Sequence, residues 1–239
     1  HVILAGGSGS RFWPKSREDT PKQLLKILGG DTMIRLTYNR LNKISPADHI
    51  LVVASKALSE QIQKEIPEIP RENYIIEPYG KNTAPAIGLA AIHVFKRDSE
   101  AIMGVYPADH LIIGDTKFKA VISRAQKMVE QKTSLITIGI KPTYPATGYG
   151  YIQYDPLQKT DMEGIHKVKT FSEKPGEETA KKFFNNGEFL WNGGMFIFKA
   201  AIILLEIKTF MPALHKSLDI INDALSTSQY ETALDREWE

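Results

Sequence analysis

The feature that most restricts the fold of this chain is an alternation. Short apolar runs of strand length recur through residues 1–140, separated by segments whose apolar residues fall at helical spacing. The runs lie at residues 2–5, 50–54, 74–76, 101–105 and 135–140. Between them, Ile34, Tyr38 and Leu41 share one helical face, then Leu58, Ile62 and Ile66. The mostly apolar stretch 84–95 follows, and then Phe118, Ile122, Ala125 and Val129. Asp31 and Asp115 stand where the first and last of these helices need an N-cap. Strands that are apolar throughout are covered on both faces, and strand–helix repetition builds a parallel sheet. The chain is therefore expected to be α/β, with a mostly parallel sheet clad by helices on both faces. After Lys141 the pattern changes. Segments 149–154, 167–171 and 194–198 read as strands with fewer helices between them, so the sheet is expected to become mixed. No repeat or linker interrupts the chain, and residues 1–239 are taken as one domain.

Composition removes several functional classes. With 42% hydrophobic residues in 239, the chain can bury a substantial core. Its 30 basic and 28 acidic residues nearly cancel and form no block of one sign, so nucleic acid is not an expected partner. The absence of cysteine excludes disulfides and thiolate metal sites. No apolar run approaches the roughly 20 residues of a membrane span, and no signal peptide is visible, so a soluble cytoplasmic protein is expected. His1 opens directly into a strand, and residues 230–239 end helix-like without a capping glycine. A continuation beyond Glu239 is therefore expected.

The chemistry concentrates first in Gly6-Gly7-Ser8-Gly9-Ser10-Arg11-Phe12-Trp13-Pro14, directly after the first strand. Glycines let the backbone approach a ligand closely, and consecutive N–H groups can cradle phosphate oxygens. Arg11 adds a planar donor fork suited to phosphate. Other glycine-loop chemistries fail on spacing. A P-loop needs Gly-Lys-Ser/Thr, but Gly80-Lys81 is followed by Asn82. The dinucleotide fingerprint needs glycine where Phe12 stands, and a hydrolase elbow around Ser8 needs glycine where Ser10 stands.

Further motifs follow in order: Thr20-Pro21-Lys22-Gln23, Glu77-Pro78-Tyr79-Gly80-Lys81-Asn82-Thr83-Ala84-Pro85, Pro107-Ala108-Asp109-His110, Thr147-Gly148-Tyr149-Gly150-Tyr151-Ile152, Phe171-Ser172-Glu173-Lys174-Pro175 and Trp191-Asn192-Gly193-Gly194-Met195-Phe196. Together with the glycine loop this set resembles the sugar-nucleotide pyrophosphorylases (nucleotidyltransferases) over nearly the whole chain. Within them it is most similar to the bacterial mannose-1-phosphate guanylyltransferases, which are often fused to a phosphomannose isomerase. The resemblance implies a Rossmann-like three-layer nucleotidyltransferase fold. Residues 1–140 would form its nucleotide-binding part and residues 141–239 its sugar-phosphate-binding part.

The resemblance also implies roles. Leu4, Ala5, Gly6, Gly7, Ser8, Gly9, Ser10, Arg11, Lys22, Asn82, Thr83, Pro85 and Asp109 would bind the nucleotide. Among them Arg11 and Lys22 would stabilise charge on the phosphates and the departing pyrophosphate. Asp109 falls at the carboxyl end of a strand, where open α/β sheets place ligands, and would hold Mg²⁺ or Mn²⁺. The family's second metal carboxylate usually lies near the end of the transferase domain; no residue is assigned to it here, and a position beyond Glu239 stays open. His110 is read as structural. Lys174 would grip the phosphate of the sugar phosphate, Glu173 and Asn192 its hydroxyls, and Gly148 and Tyr149 would border the sugar. Arg11, Lys22, Asp109 and Lys174 would form the catalytic set. Asn82 and Thr83 serve equally well as helix caps. Many relatives carry serine where this chain has Gly193.

The implied reaction takes GTP and mannose 1-phosphate to GDP-mannose and pyrophosphate, and the assembly to be tested is a homodimer. Three alternatives stay open on the residues alone: dTTP or UTP with glucose 1-phosphate, a glycosyltransferase, and a non-catalytic regulatory subunit. A glycosyltransferase would commonly carry Asp-x-Asp, which is absent here.

Overall fold

A computed structural model describes residues 1–6, 21–27 and 29–238. The expected alternation is realised. Strand β1 (Val2–Leu4) is followed by helix α1 (Met33–Asn42), β2 (Leu51–Ser55), α2 (Lys56–Glu65), β3 (Tyr74–Glu77), α3 (Thr83–Arg97), β4 (Ile102–Pro107), α4 (Asp115–Gln131) and β5 (Ile136–Ile140). The later portion contains β6 (Tyr151–Lys159), β7 (His166–Ser172), α5 (Glu177–Asn186), β8 (Phe189–Lys199), α6 (Ala200–Phe210), α7 (Pro212–Ala224) and α8 (Tyr230–Glu237). The strands run β3-β2-β1-β4-β8-β6-β7, with β5 paired to β8. Of the seven pairings among the described residues, the three within β1–β4 are parallel and the other four are antiparallel. The sheet is mixed as expected, with more antiparallel pairing than the sequence indicates. The cause is β8: it begins at Phe189, not at residue 194, and is long enough to pair with β4, β5 and β6.

Successive residues of a strand point to opposite faces, and the core divides accordingly. Ile3, Val52 and Ala54 pack with Ile34, Leu41, Ile62 and Ile122 of α1, α2 and α4. Val2, Leu51 and Val53 pack with Leu89, Ile207, Leu218 and Trp238 on the other face. That second layer contains α6 and α7, which no pattern in the sequence marks clearly. Gly88 of α3 admits them, because a Cβ there would lie 2.6 Å from Leu218 Cδ1. A third cluster, with Tyr151, Phe189, Trp191 and Ala180, lies between α5 and the β6–β8 strands.

Two cap assignments need correction. The N-cap of α1 is Thr32, whose Oγ1 accepts from the Arg35 N–H at 3.2 Å; Asp31 precedes it and accepts from Asn39 instead. The N-cap of α4 is Gly114, at φ +100°. Asp115 is the first helical residue, and its carboxylate pairs with Lys43 at 2.5 Å while still favouring the positive end of the helix.

Candidate active site

From β1 the chain moves outward to β2 and β3, then returns to add β4 on the other side of β1. This reversal opens a crevice beyond the carboxyl ends of the parallel strands, the place where α/β sheets bind ligands. A cleft of about 550 Å³ lies there, lined by Leu4, Gly6, Glu77, Asn82, Thr83, Asp109 and Asn192 among others. Six of these seven come from the ends of β1, β3 and β4, the residues just beyond them, or the start of α3. Asn192 arrives from β8. The geometry therefore brings together parts of the glycine-loop, Glu77–Pro85, Asp109 and Asn192 motifs.

Gly7, Ser8, Gly9, Ser10 and Arg11 lie outside the described residues, as do Phe12, Trp13 and Pro14. Lys22 stands in a single 3-10 turn, Lys22–Leu24, and its ammonium pairs with the Asp109 carboxylate. Both side chains are about a fifth exposed, at 21% and 23%. Three expected nucleotide contacts, Ala5, Lys22 and Pro85, do not line the cleft, and Lys22 reaches it only by pairing with Asp109. Ala5 is fully buried in the core, and its carbonyl already accepts from Gln23 Nε2. Pro85 sits in the first turn of α3, where its missing N–H leaves no helical bond unmade. Asn82 occupies the N-cap position of α3, but its side chain makes no capping hydrogen bond. Burial holds the His110 imidazole below its ordinary pKa, Asp109 opposing and Arg40 and Lys22 reinforcing the effect.

Two of the sugar-side residues, Glu173 and Asn192, meet at Gly150. The Asn192 N–H donates to Gly150 O at 2.7 Å. A Cβ on Gly150 would lie 2.7 Å from Glu173 Oε2 and 3.5 Å from Asn192 Cβ, so Gly150 is the close-approach glycine here. Lys174 pairs with Glu173 at 2.9 Å, and both are more than half exposed, so the contact itself adds little stability. Lys174 is also the one non-glycine with positive φ among the described residues, at +43°. Gly148 is exposed, with open space around its Cβ position. The Tyr149 ring packs edge-on against Trp191 at 5.0 Å, and Tyr144 does the same at 5.1 Å.

Asn192 is expected from the sequence to offer both donors and acceptors. In the fold its Oδ1 already accepts from the Gly194 N–H at 3.0 Å and from Thr137 Oγ1 at 3.2 Å, which among the described residues leaves the Nδ2 donors for a ligand. A Cβ on Gly193 would lie 2.7 Å from the Ile138 carbonyl oxygen, so a serine at this position would collide with β5.

Two residues matter more than the sequence indicates. Glu77 closes β3, is only 2% exposed, and lines the cleft. The Lys81 N–H donates to its carboxyl, while its Oε2 has no hydrogen-bond partner among the described residues. Burial pushes its pKa up to about 7. Its signal in the sequence is a carboxylate closing an apolar run. Gln23 is 1% exposed, with its amide on the Ala5 and Gly6 carbonyls, and no periodicity marks it.

A model of the nucleotidyl transferase family matches residues 1–239. A protein of Escherichia coli O157:H7 named mannose-1-phosphate guanylyltransferase 2 is 38% identical over 222 residues, 90% of this chain and 46% of its own. A mannose-1-phosphate guanylyltransferase of Escherichia coli strain K12 is 38% identical over 230 residues, 94% of this chain and 47% of its own. The chain thus spans about half the length of these relatives. Among solved structures, a Thermus thermophilus protein described as a mannose-1-phosphate geranyltransferase superposes with a TM-score of 0.86 at 28% identity. The match covers 98% of this chain and 66% of that one.

Proposed function

Because the chain belongs to the nucleotidyl transferase family, we propose that it transfers GMP from GTP to mannose 1-phosphate, giving GDP-mannose and pyrophosphate. The observation that carries this reading is the cleft itself. It joins Gly6 at the start of a glycine-rich loop, Asp109 with Lys22 paired to it, and the Asn192 strand at the switch point of the sheet. The names of the E. coli relatives support the choice of base and sugar.

A phosphate oxygen of mannose 1-phosphate attacks the α-phosphorus of GTP in line. The new P–O bond forms as the bond to the α–β bridging oxygen breaks, and pyrophosphate leaves with that electron pair. The nucleophile is already an anion at neutral pH, so positioning and charge stabilisation suffice. Lys22 and Arg11 counter the charge on the triphosphate. Lys174 and Glu173 hold the sugar phosphate beside Asn192, whose Nδ2 donates to a hydroxyl. Glu77 presents carboxyl acceptors to the donor edge of guanine, N1–H and N2–H₂.

The described residues include no cluster of three or more His, Cys, Asp or Glu, so they provide no all-protein metal cage. Asp109 alone fits Mg²⁺, which takes one or two carboxylates and completes its shell with substrate phosphates and water; Mn²⁺ suits the same donors. Bound there, the ion would neutralise charge on the triphosphate. No helix of the described residues is long and apolar enough to cross a membrane. On this reading the enzyme works in the cytoplasm.

A panel of GTP, dTTP, UTP and ATP against mannose 1-phosphate and glucose 1-phosphate, read by pyrophosphate release, tests the proposal. Turnover is expected to be highest with GTP and mannose 1-phosphate. A clear preference for another pair reassigns base and sugar, and no release with any pair removes the catalytic reading.

A further inference from the structure

We propose that Gln23 is a positioning residue for nucleotidyl transfer. It welds the turn carrying Lys22 to the start of the glycine loop, so that both meet the triphosphate as one rigid unit. The proposal rests on the function assigned above.

The case begins where the sheet ladder ends. The last paired residue of β1 is Leu4, in register with Val53 and Pro107. Just beyond it, the Ala5 N–H donates to Val53 O at 2.9 Å and the Ala108 N–H donates to Leu4 O at 3.0 Å. The carbonyls of Ala5 and Gly6 lie past this point, and Gly6 lines the cleft. Gln23 Nε2 donates to both, at 2.8 Å and 2.9 Å. Both amide hydrogens are thereby used, in a side chain 1% exposed. Buried polar groups that lose such partners carry a full desolvation penalty, so the two bonds hold the segments together firmly.

The consequence reaches the site through the preceding residue. Lys22 and Gln23 share one 3-10 turn, and Lys22 pairs with Asp109 two residues beyond β4. Anchoring Gln23 therefore fixes the relation between the Gly6 main chain, the Lys22 ammonium and the Asp109 carboxylate. The position demands two hydrogens on one neutral atom at the end of a three-carbon reach. Methionine has that length and no donor. Ionised glutamate would set a negative charge against two carbonyl oxygens. Protonated glutamate can restore one of the two bonds.

Three full-length proteins decide the matter: wild type, Gln23→Met and Gln23→Glu. Each is assayed for pyrophosphate release from GTP and mannose 1-phosphate between pH 5 and pH 8, with pyrophosphate affinity measured by calorimetry. Gln23→Met is expected to lower kcat by about tenfold to hundredfold, the scale of a misplaced catalytic group, while KM for mannose 1-phosphate stays within about twofold. Gln23→Glu is expected to be most active at the acid end and to lose activity as its carboxyl ionises, a limb that wild type and Gln23→Met lack. Pyrophosphate is expected to bind more weakly to both variants at pH 8. If Gln23→Met fails to fold, the pH profile of Gln23→Glu carries the test. Wild-type kcat and pyrophosphate affinity in a folded Gln23→Met, or a Gln23→Glu profile parallel to wild type, would overturn the proposal. An inactive wild type would instead overturn the assigned reaction, and the pyrophosphate measurement would still judge Gln23.

Discussion

Replacing Glu77 with glutamine should make the protein more stable at alkaline pH and change it far less at acid pH. The Glu77 carboxyl is 2% exposed and accepts a hydrogen bond from the Lys81 N–H. Burial lifts its pKa from 4.5 to about 7, with that N–H opposing. The sign follows from proton counting. Between these two values the folded state keeps a proton that the unfolded chain releases. Stability is therefore lost as pH rises through this window. The full loss is about 3 kcal/mol, of which about 2–3 kcal/mol falls between pH 5 and pH 8. Glutamine has no proton to lose, so its constant packing offset cancels when the two pH values are compared. The assay is urea unfolding of both proteins at pH 5, 6, 7 and 8. The variant is expected to gain about 2–3 kcal/mol on wild type across this range, or about 5–10 °C in Tm for a domain of this size. A wild-type-to-variant gap that stays constant from pH 5 to pH 8 would refute the reasoning. The same substitution turns an acceptor toward guanine into a donor, so weaker GTP binding at pH 8 is expected alongside the stability gain.

Other perturbations probe the remaining parts. Lys22→Ala and Asp109→Ala should each abolish most pyrophosphate release while circular dichroism shows the fold intact; near-normal turnover in either variant removes that residue from the mechanism. Gly193→Ser should destabilise by about 1–3 kcal/mol in urea, because its Cβ would press within 2.7 Å of the Ile138 carbonyl, and unchanged stability would show that β5 yields. Gly88→Ala should cost less, about 1 kcal/mol, because the obstruction is the movable end of Leu218. A loss exceeding that of Gly193→Ser would reverse this ranking.

Much of the architecture is legible before any contact is known. Apolar runs of strand length mark the five N-terminal strands, and helical spacing marks α1 to α4, because periodicity is a property of one segment alone. The Gly6, Asp109 and Asn192 motifs can be recognised for the same reason: each is contiguous. Helices α5, α6 and α7 are not legible in this way. In α6, the run Ala-Ala-Ile-Ile-Leu-Leu is apolar around most of its circumference and shows no clear stripe. Asp31 and Asp115 each stand one residue from the true cap, a difference that local propensity does not resolve.

What the tertiary structure alone decides concerns groups whose partners lie far along the chain. Gln23 bonds carbonyls 17 and 18 residues away, and Lys22 meets Asp109 across 87. The acceptor of Asn192 is spent on Thr137, 55 residues earlier, and on the Gly194 N–H. Glu77 is an ordinary carboxylate in the sequence and a buried one with a raised pKa in the fold. Sequence specifies which chemical groups exist and which short segments become strands or helices. Burial and pairing arise only when distant segments close on one another. They determine which of those groups still has a hydrogen bond, a charge or a proton to offer a ligand.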